Sequence, residues 1–99
     1  MRTMMRVTVP VTTGNKTIQD GTLPRTLQAT LEALKPEAVY FTVVDGERTA
    51  FIYFDLAEPS RIPVICEPLF TNLDAKIELT PVMSAQDLQA GLKEVAQAR

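Results

Sequence analysis

Apolar and polar residues alternate with period two in four stretches of this chain and recur with helical spacing in three others. The clearest alternating pair is residues 39–44, VYFTVV, and residues 47–54, ERTAFIYF, joined by Asp45-Gly46. Asp-Gly between two β-branched and aromatic runs predicts a two-residue type I′ hairpin, whose central positions both need positive φ. Such a turn sets Val44 opposite Glu47, Thr42 opposite Thr49 and Tyr40 opposite Phe51. One face of the hairpin then carries Val39, Phe41, Val43, Ala50, Ile52 and Phe54. The other carries Tyr40, Thr42, Val44, Thr49, Phe51 and Tyr53.

Residues 4–11, MMRVTVPV, set Met5, Val7, Val9 and Val11 against Arg6, Thr8 and Pro10. They predict a half-buried strand that Pro10 marks as an end, an edge or a bulge, since proline has no N–H for the ladder. Residues 75–82, AKIELTPV, alternate in the same way. Thr12-Thr13-Gly14-Asn15 breaks the first pattern and offers caps. From Asn15 to Leu34 an apolar stripe of Leu23, Leu27, Leu31 and Leu34 predicts helix. Gly21 and Pro24 interrupt it, so either the helix kinks near Asp20 or a short turn ends at Gly21 and Thr22 caps a second helix. Residues 60–70 predict a second helix with Ile62, Ile65, Leu69 and Cys66 inward, Pro63 in its first turn and Pro68 bending or stopping it. Ser84 and Asp87 form a capping box for a last helix. Its stripe of Leu88, Leu92 and Val95 is short, which suits leaning on a partner better than completing a core. The order is β-α-β-β-α-β plus a terminal helix. It predicts one α+β domain over residues 1–99, ferredoxin-like, with an antiparallel sheet and its helices on one face.

The helices are expected to cover Val7, Val9, Phe41, Val43, Ala50, Ile52, Ile77 and Leu79. The opposite face gathers Arg6, Thr8, Tyr40, Thr42, Thr49, Phe51, Tyr53, Lys76, Glu78 and Thr80. Its three aromatics alone could expose about 450–750 Å² at roughly 150–250 Å² each, against about 300–600 Å² for the largest apolar patch of an ordinary monomer. The expected partner is therefore a second copy of the chain. Arg6, Thr42, Thr49, Phe51, Tyr53 and Glu78 are the candidate dimer interface, with Arg6 and Glu78 an ion pair within or across it.

Composition narrows the chemistry. Twelve acids and ten scattered bases give a net charge of −2, with no basic stripe for nucleic acid or an anionic membrane. Cys66 is the single cysteine. It excludes an internal disulfide, fits a reducing compartment and reads as structural. No apolar run approaches the roughly 18 residues of a membrane span, and the first residues lead into a strand rather than a signal-peptide core, so the expected location is cytoplasmic. Histidine is absent. The usual general base, the commonest metal ligand and the usual haem ligand are thereby missing, and the dispersed acids form no metal site.

The blocks GTLPRTLQATLEALKPEAVYFTVVDGERTAFI, IPVICEPLF and IELTPVMS, which together span most of the chain, resemble a family of small bacterial proteins grouped with the dimeric α+β-barrel superfamily. The resemblance implies two ferredoxin-like subunits whose sheets pack face to face into a barrel. That family carries no assigned reaction. Related branches of the superfamily degrade haem, act as cofactor-independent quinol-type monooxygenases, or isomerise and dehydrate ring compounds. The chain lacks the histidine of the haem branch, and Asn15, Asn72, Tyr40 and Tyr53 do not reproduce a monooxygenase pattern, so no cofactor is implied.

Two functional classes stay open. One is a homodimer binding a small apolar or aromatic ligand in a cleft between helices and sheet, with cofactor-independent monooxygenase or isomerase chemistry as its enzymatic form. The other is a non-catalytic structural or regulatory dimer. For the first, Asn15, Tyr40 and Glu67 are the candidate ligand-binding residues: Asn15 by its amide beside a helix start, Tyr40 by its hydroxyl, Glu67 as a carboxylate beside Pro68. The structural alternative makes them a cap, a packed aromatic and a solvated acid.

Overall fold

In the computed structural model, which describes residues 1–98, eight elements follow one another. They are β1 (Arg2–Val9), α1 (Val11–Gln19), α2 (Thr22–Leu34), β2 (Ala38–Val44), β3 (Glu47–Asp55), α3 (Arg61–Leu73), β4 (Lys76–Pro81) and α4 (Ala85–Gln97). The strands form one antiparallel sheet in the order β2-β3-β1-β4. This is the ferredoxin-like α+β arrangement with an extra C-terminal helix.

The hairpin has the register its turn predicts: Val44 faces Glu47, Thr42 faces Thr49 and Tyr40 faces Phe51. Asp45 and Gly46 have φ of 52° and 76°, both in the left-handed region a type I′ turn requires. The core lies on one side of the sheet, where Met5, Val7, Ile52 and Phe54 meet Leu69 and Leu73 of α3. Leu23, Leu31 and Leu34 of α2 pack around that cluster.

The first crossover departs from expectation. β1 starts at Arg2 and ends at Val9, and Val11 opens α1 instead of closing the strand. Pro10 is the reason. Its φ of −57° suits the N-cap of a helix, its missing N–H is no loss there, and its carbonyl accepts from Gly14 N–H at 2.8 Å. Thr12 to Asn15 are consequently helical. Gly14 is buried because Arg48 crosses it from β3, where any Cβ would collide with the guanidinium.

Of the two arrangements open near Asp20, the chain takes the break. Gly21, at φ 84°, precedes α2, and the Asp20 carboxylate accepts the Thr22 N–H at 2.9 Å. The cap is thus supplied by Asp20 and Gly21 rather than by the Thr22 side chain. Pro24 falls in the first turn of α2, whose N–H groups have no intrahelical partner in any case.

Pro68 does not stop the second helix, as the sequence suggested it could. α3 runs on to Leu73, because Leu69 and Leu73 are wholly buried. Burying two leucines contributes roughly 1.5–3 kcal/mol each, enough to offset the ~3 kcal/mol cost of an internal proline. Pro68 itself stays exposed.

A further difference concerns the edge. Phe41 and Val43, expected under the helices, are 60% and 67% exposed. On β2 only Val39 packs against the core, and the helix layer leaves the Phe41 and Val43 end of that edge strand uncovered. α4 begins with the expected capping box: Ser84 Oγ accepts from Asp87 N–H at 3.1 Å and Asp87 Oδ2 accepts from Ser84 N–H at 2.9 Å. None of its side chains is buried.

Candidate functional site

α2 carries a second face beside its leucines. Thr26, Ala29, Thr30 and Ala33 fall at spacings of three, one and three, so they line up along one side of the helix. Small side chains there leave space between α2 and α3 unfilled. The result is a cleft of about 340 Å³, within the size range of small-molecule sites. The cleft lies against the core: Phe54 and Leu34 border it, and Val64, Ile65 and Pro68 form the α3 wall. Asp55, Leu56 and Ala57, leading out of β3, line it as well.

Its polar groups are few. Asn72 Nδ2 donates to Thr26 Oγ1 at 3.3 Å, tying α3 to α2 across the cleft. Thr30 Oγ1 donates back to Thr26 O at 2.8 Å, within its own helix. Asp55 Oδ1 accepts from the α-amino group of Met1 at 2.7 Å, so that carboxylate already has a cation. Arg61 borders the cleft from the first turn of α3, and its guanidinium enters no ion pair among the described residues. An apolar recess with one available guanidinium can hold an apolar molecule and orient an oxygen acceptor on it.

The three residues singled out in the sequence lie elsewhere; none of them borders this cleft. Asn15 sits on α1, where its Oδ1 accepts from Arg48 Nη2 at 3.1 Å. Tyr40 stands on the helix-free side of edge strand β2, 64% exposed. Glu67 points outward from α3. The cleft-lining residues did leave a sequence signal in the small residues at 26, 29, 30 and 33, which the stronger leucine stripe overshadowed.

The residues named for the sheet's second face do share that face. Tyr40, Phe51, Arg6 and Glu78 form one row across all four strands, and Thr42, Thr49, Thr8 and Lys76 form the next. Arg6 Nη1 lies 4.0 Å from Glu78 Oε2. Phe51 and Tyr53 are half-buried by their strand neighbours, whereas Thr8 and Thr49 are buried. Arg6, Glu47, Lys76 and Glu78 border a polar hollow of about 190 Å³ on this side.

Cys66 is buried. Burial pushes its thiol above the ordinary value, and the neighbouring Glu67 adds to the shift, the reverse of what an activated thiol requires. Among the described residues no group of three or more acids or cysteines is placed to hold a metal ion, and no helix is long and apolar enough to cross a membrane. No known protein-family model matches the sequence, and a search of characterised proteins found no relative.

Proposed function

We propose that this chain is the subunit of a homodimer that binds a small apolar or aromatic molecule in the cleft between α2 and α3. The cleft carries the reading: it is mostly apolar, of ligand size, and built from side chains too small to close it. Binding rather than catalysis is what its lining supports. The Asp55 carboxylate is held by an ammonium group, Thr30 donates to its own helix, and the lining contains no histidine, cysteine or lysine. A general base is therefore not on offer.

The helix-free side of the sheet supports the homodimer. Tyr40, Phe51, Tyr53 and Met4 gather toward one end of that face. Arg6 and Glu78 continue the row of Tyr40 and Phe51 onto β1 and β4, and Lys76 and Glu47 lie in the rows beyond it, so charges of both signs alternate there. A patch with both charges interspersed is self-complementary about a twofold axis, and the aromatic end supplies the apolar contact.

Native mass spectrometry of the purified protein tests both parts. A dimer retaining a molecule of a few hundred daltons is the expected result. Where nothing is retained, thermal shift with indole and with benzoate is the second readout. A ligand at one hundred times its Kd should stabilise the native state by about 2.7 kcal/mol, and Ala33→Trp, which fills the cleft, should abolish the shift. Equal shifts in the variant would refute the site; a monomer at all concentrations would refute the assembly.

A further inference from the structure

We infer that the molecule held between α2 and α3 is a straight-chain carboxylate of about ten to twelve carbons, its carboxylate on Arg61 and its chain laid along the cleft toward Asn72. The inference rests on the cleft reading of the proposed function and names the chemical class of the ligand.

The two ends of the cleft differ. Arg61 stands at one, beside Asp55, Leu56 and Ala57, where the chain leaves β3 for α3. Asn72 stands at the other, tied to Thr26 of α2 at 3.3 Å. From residue 61 to residue 72 α3 rises about 16 Å, at roughly 1.5 Å per residue.

Between the ends the walls are apolar. Ala29 and Ala33 supply one side, Val64, Ile65 and Pro68 the other, and Phe54 the floor. Phe54 is 2% exposed, so the floor is sealed, whereas Val64 is 53% exposed and open to cover. The Thr30 hydroxyl, midway along α2, donates to its own helix at Thr26 O. A volume of about 340 Å³ drawn out over that length is narrow. An α-helix with its side chains is about 10–12 Å across, too broad to enter it. A compact ring would leave one end empty. A single extended alkyl chain matches both length and width. It advances about 1.25 Å per carbon, given C–C bonds of about 1.5 Å, and so fills the cleft at about twelve carbons.

Charge is an independent argument. Arg61 is the cation of the lining, and among the described residues no acid lies within ion-pair distance of it. Asp55, the acid in the same lining, is held by the Met1 ammonium group at 2.7 Å, which offsets its charge. Glu58, close by along the chain, accepts from Ser60 Oγ at 3.4 Å. The backbone at the start of α3 has no donor to add. Arg61 N–H and Ile62 N–H donate to Glu58 O and Pro59 O, each at 3.0 Å, and Pro63 has no N–H. The anchor is therefore the guanidinium, whose planar fork meets a carboxylate through two parallel hydrogen bonds.

Isothermal titration calorimetry with octanoate and 1-octanol, on wild type, Arg61→Gln and Ala33→Trp, is the test. Wild type should bind octanoate at least about tenfold more tightly than the alcohol. Arg61→Gln, at an exposed position, should lose that preference and keep its affinity for 1-octanol, while Ala33→Trp should lose both ligands. In a series from hexanoate to tetradecanoate, affinity should rise about fourfold per methylene and level off beyond dodecanoate. Equal affinity for acid and alcohol in wild type would overturn the anchor and leave the cleft reading standing. So would octanoate binding that survives Arg61→Gln but not Ala33→Trp. An affinity already flat at hexanoate would overturn the extended chain. Octanoate that still binds Ala33→Trp sits elsewhere, and the proposal falls. Indole binding without any carboxylate binding would refute this inference alone; failure of every ligand, indole included, would refute the cleft with it.

Discussion

Tyr40→Ala separates association from folding more cleanly than any other single change. Tyr40 is 64% exposed on an edge strand. With roughly 150–250 Å² per aromatic side chain, about 100–160 Å² of it remains for a partner to cover. At about 25 cal/mol per Å² that surface is worth up to ~2.5–4 kcal/mol per subunit, and a twofold interface loses it twice. Conversion of area into affinity is incomplete, because association carries entropic and desolvation costs. A net loss of ~2–4 kcal/mol, or a Kd raised about 30- to 1,000-fold, is therefore the expected size. The monomer should hardly notice, since strand propensities span only ~1 kcal/mol. The assay is sedimentation equilibrium over a broad concentration range, with a urea melt as control. A Kd within threefold of wild type would refute the idea that this side of the sheet is covered. So would a collapse of the melt, since Tyr40 would then belong to the fold.

Three further outcomes are expected. Gly21→Ala forces a Cβ onto a residue at φ 84° and should destabilise by ~1–2 kcal/mol, lowering Tm by about 4–16 °C; an unchanged or raised Tm would mean that α1 and α2 can merge into one helix. Asp87 is held below the ordinary carboxylate range first by the Ser84 N–H, then by the Ser84 side chain, with Arg2 adding. A depressed folded-state pKa stabilises α4 above the unfolded value near 3.9, and the contribution is lost as pH falls through the folded value. Far-UV circular dichroism should therefore lose helical signal below about pH 4, and Asp87→Ala should remove that step. Because Cys66 is buried with its thiol pushed up, it should react with a disulfide reagent only as fast as the protein opens; rapid native labelling at pH 8 would contradict its placement.

What the sequence disclosed and what it hid divide along physical lines. The hairpin was readable to the residue because Asp45-Gly46 is a local constraint that propagates by simple alternation. The capping box of α4 was readable for the same reason. The start of α1 was not. Gly14 looks like a breaker until Arg48, from a strand far along the chain, is laid across it. Pro68 was weighed against local helix propensity, whereas burial of Leu69 and Leu73 decides the matter. Phe41 and Val43 alternate perfectly and still remain uncovered, because alternation assigns a face and says nothing about how far a helix layer extends. The cleft was hidden by a bias toward large residues, since it is made by the four small ones on α2.

The sheet order carries a consequence for how the chain reaches this state. β1 emerges first from the ribosome and ends in the middle, flanked by β3 and β4. Its pairings join Arg2 to Asp55 and Thr3 to Pro81, so the most buried strand must wait for partners far along the chain. Only the β2–β3 hairpin can close locally, within about 1–10 μs. Until then Met5, Val7 and Val9 are an unpaired apolar segment, the kind that invites aggregation during synthesis. Pro10 and the early turns of α1 stand next to it as the nearest brake on strand growth.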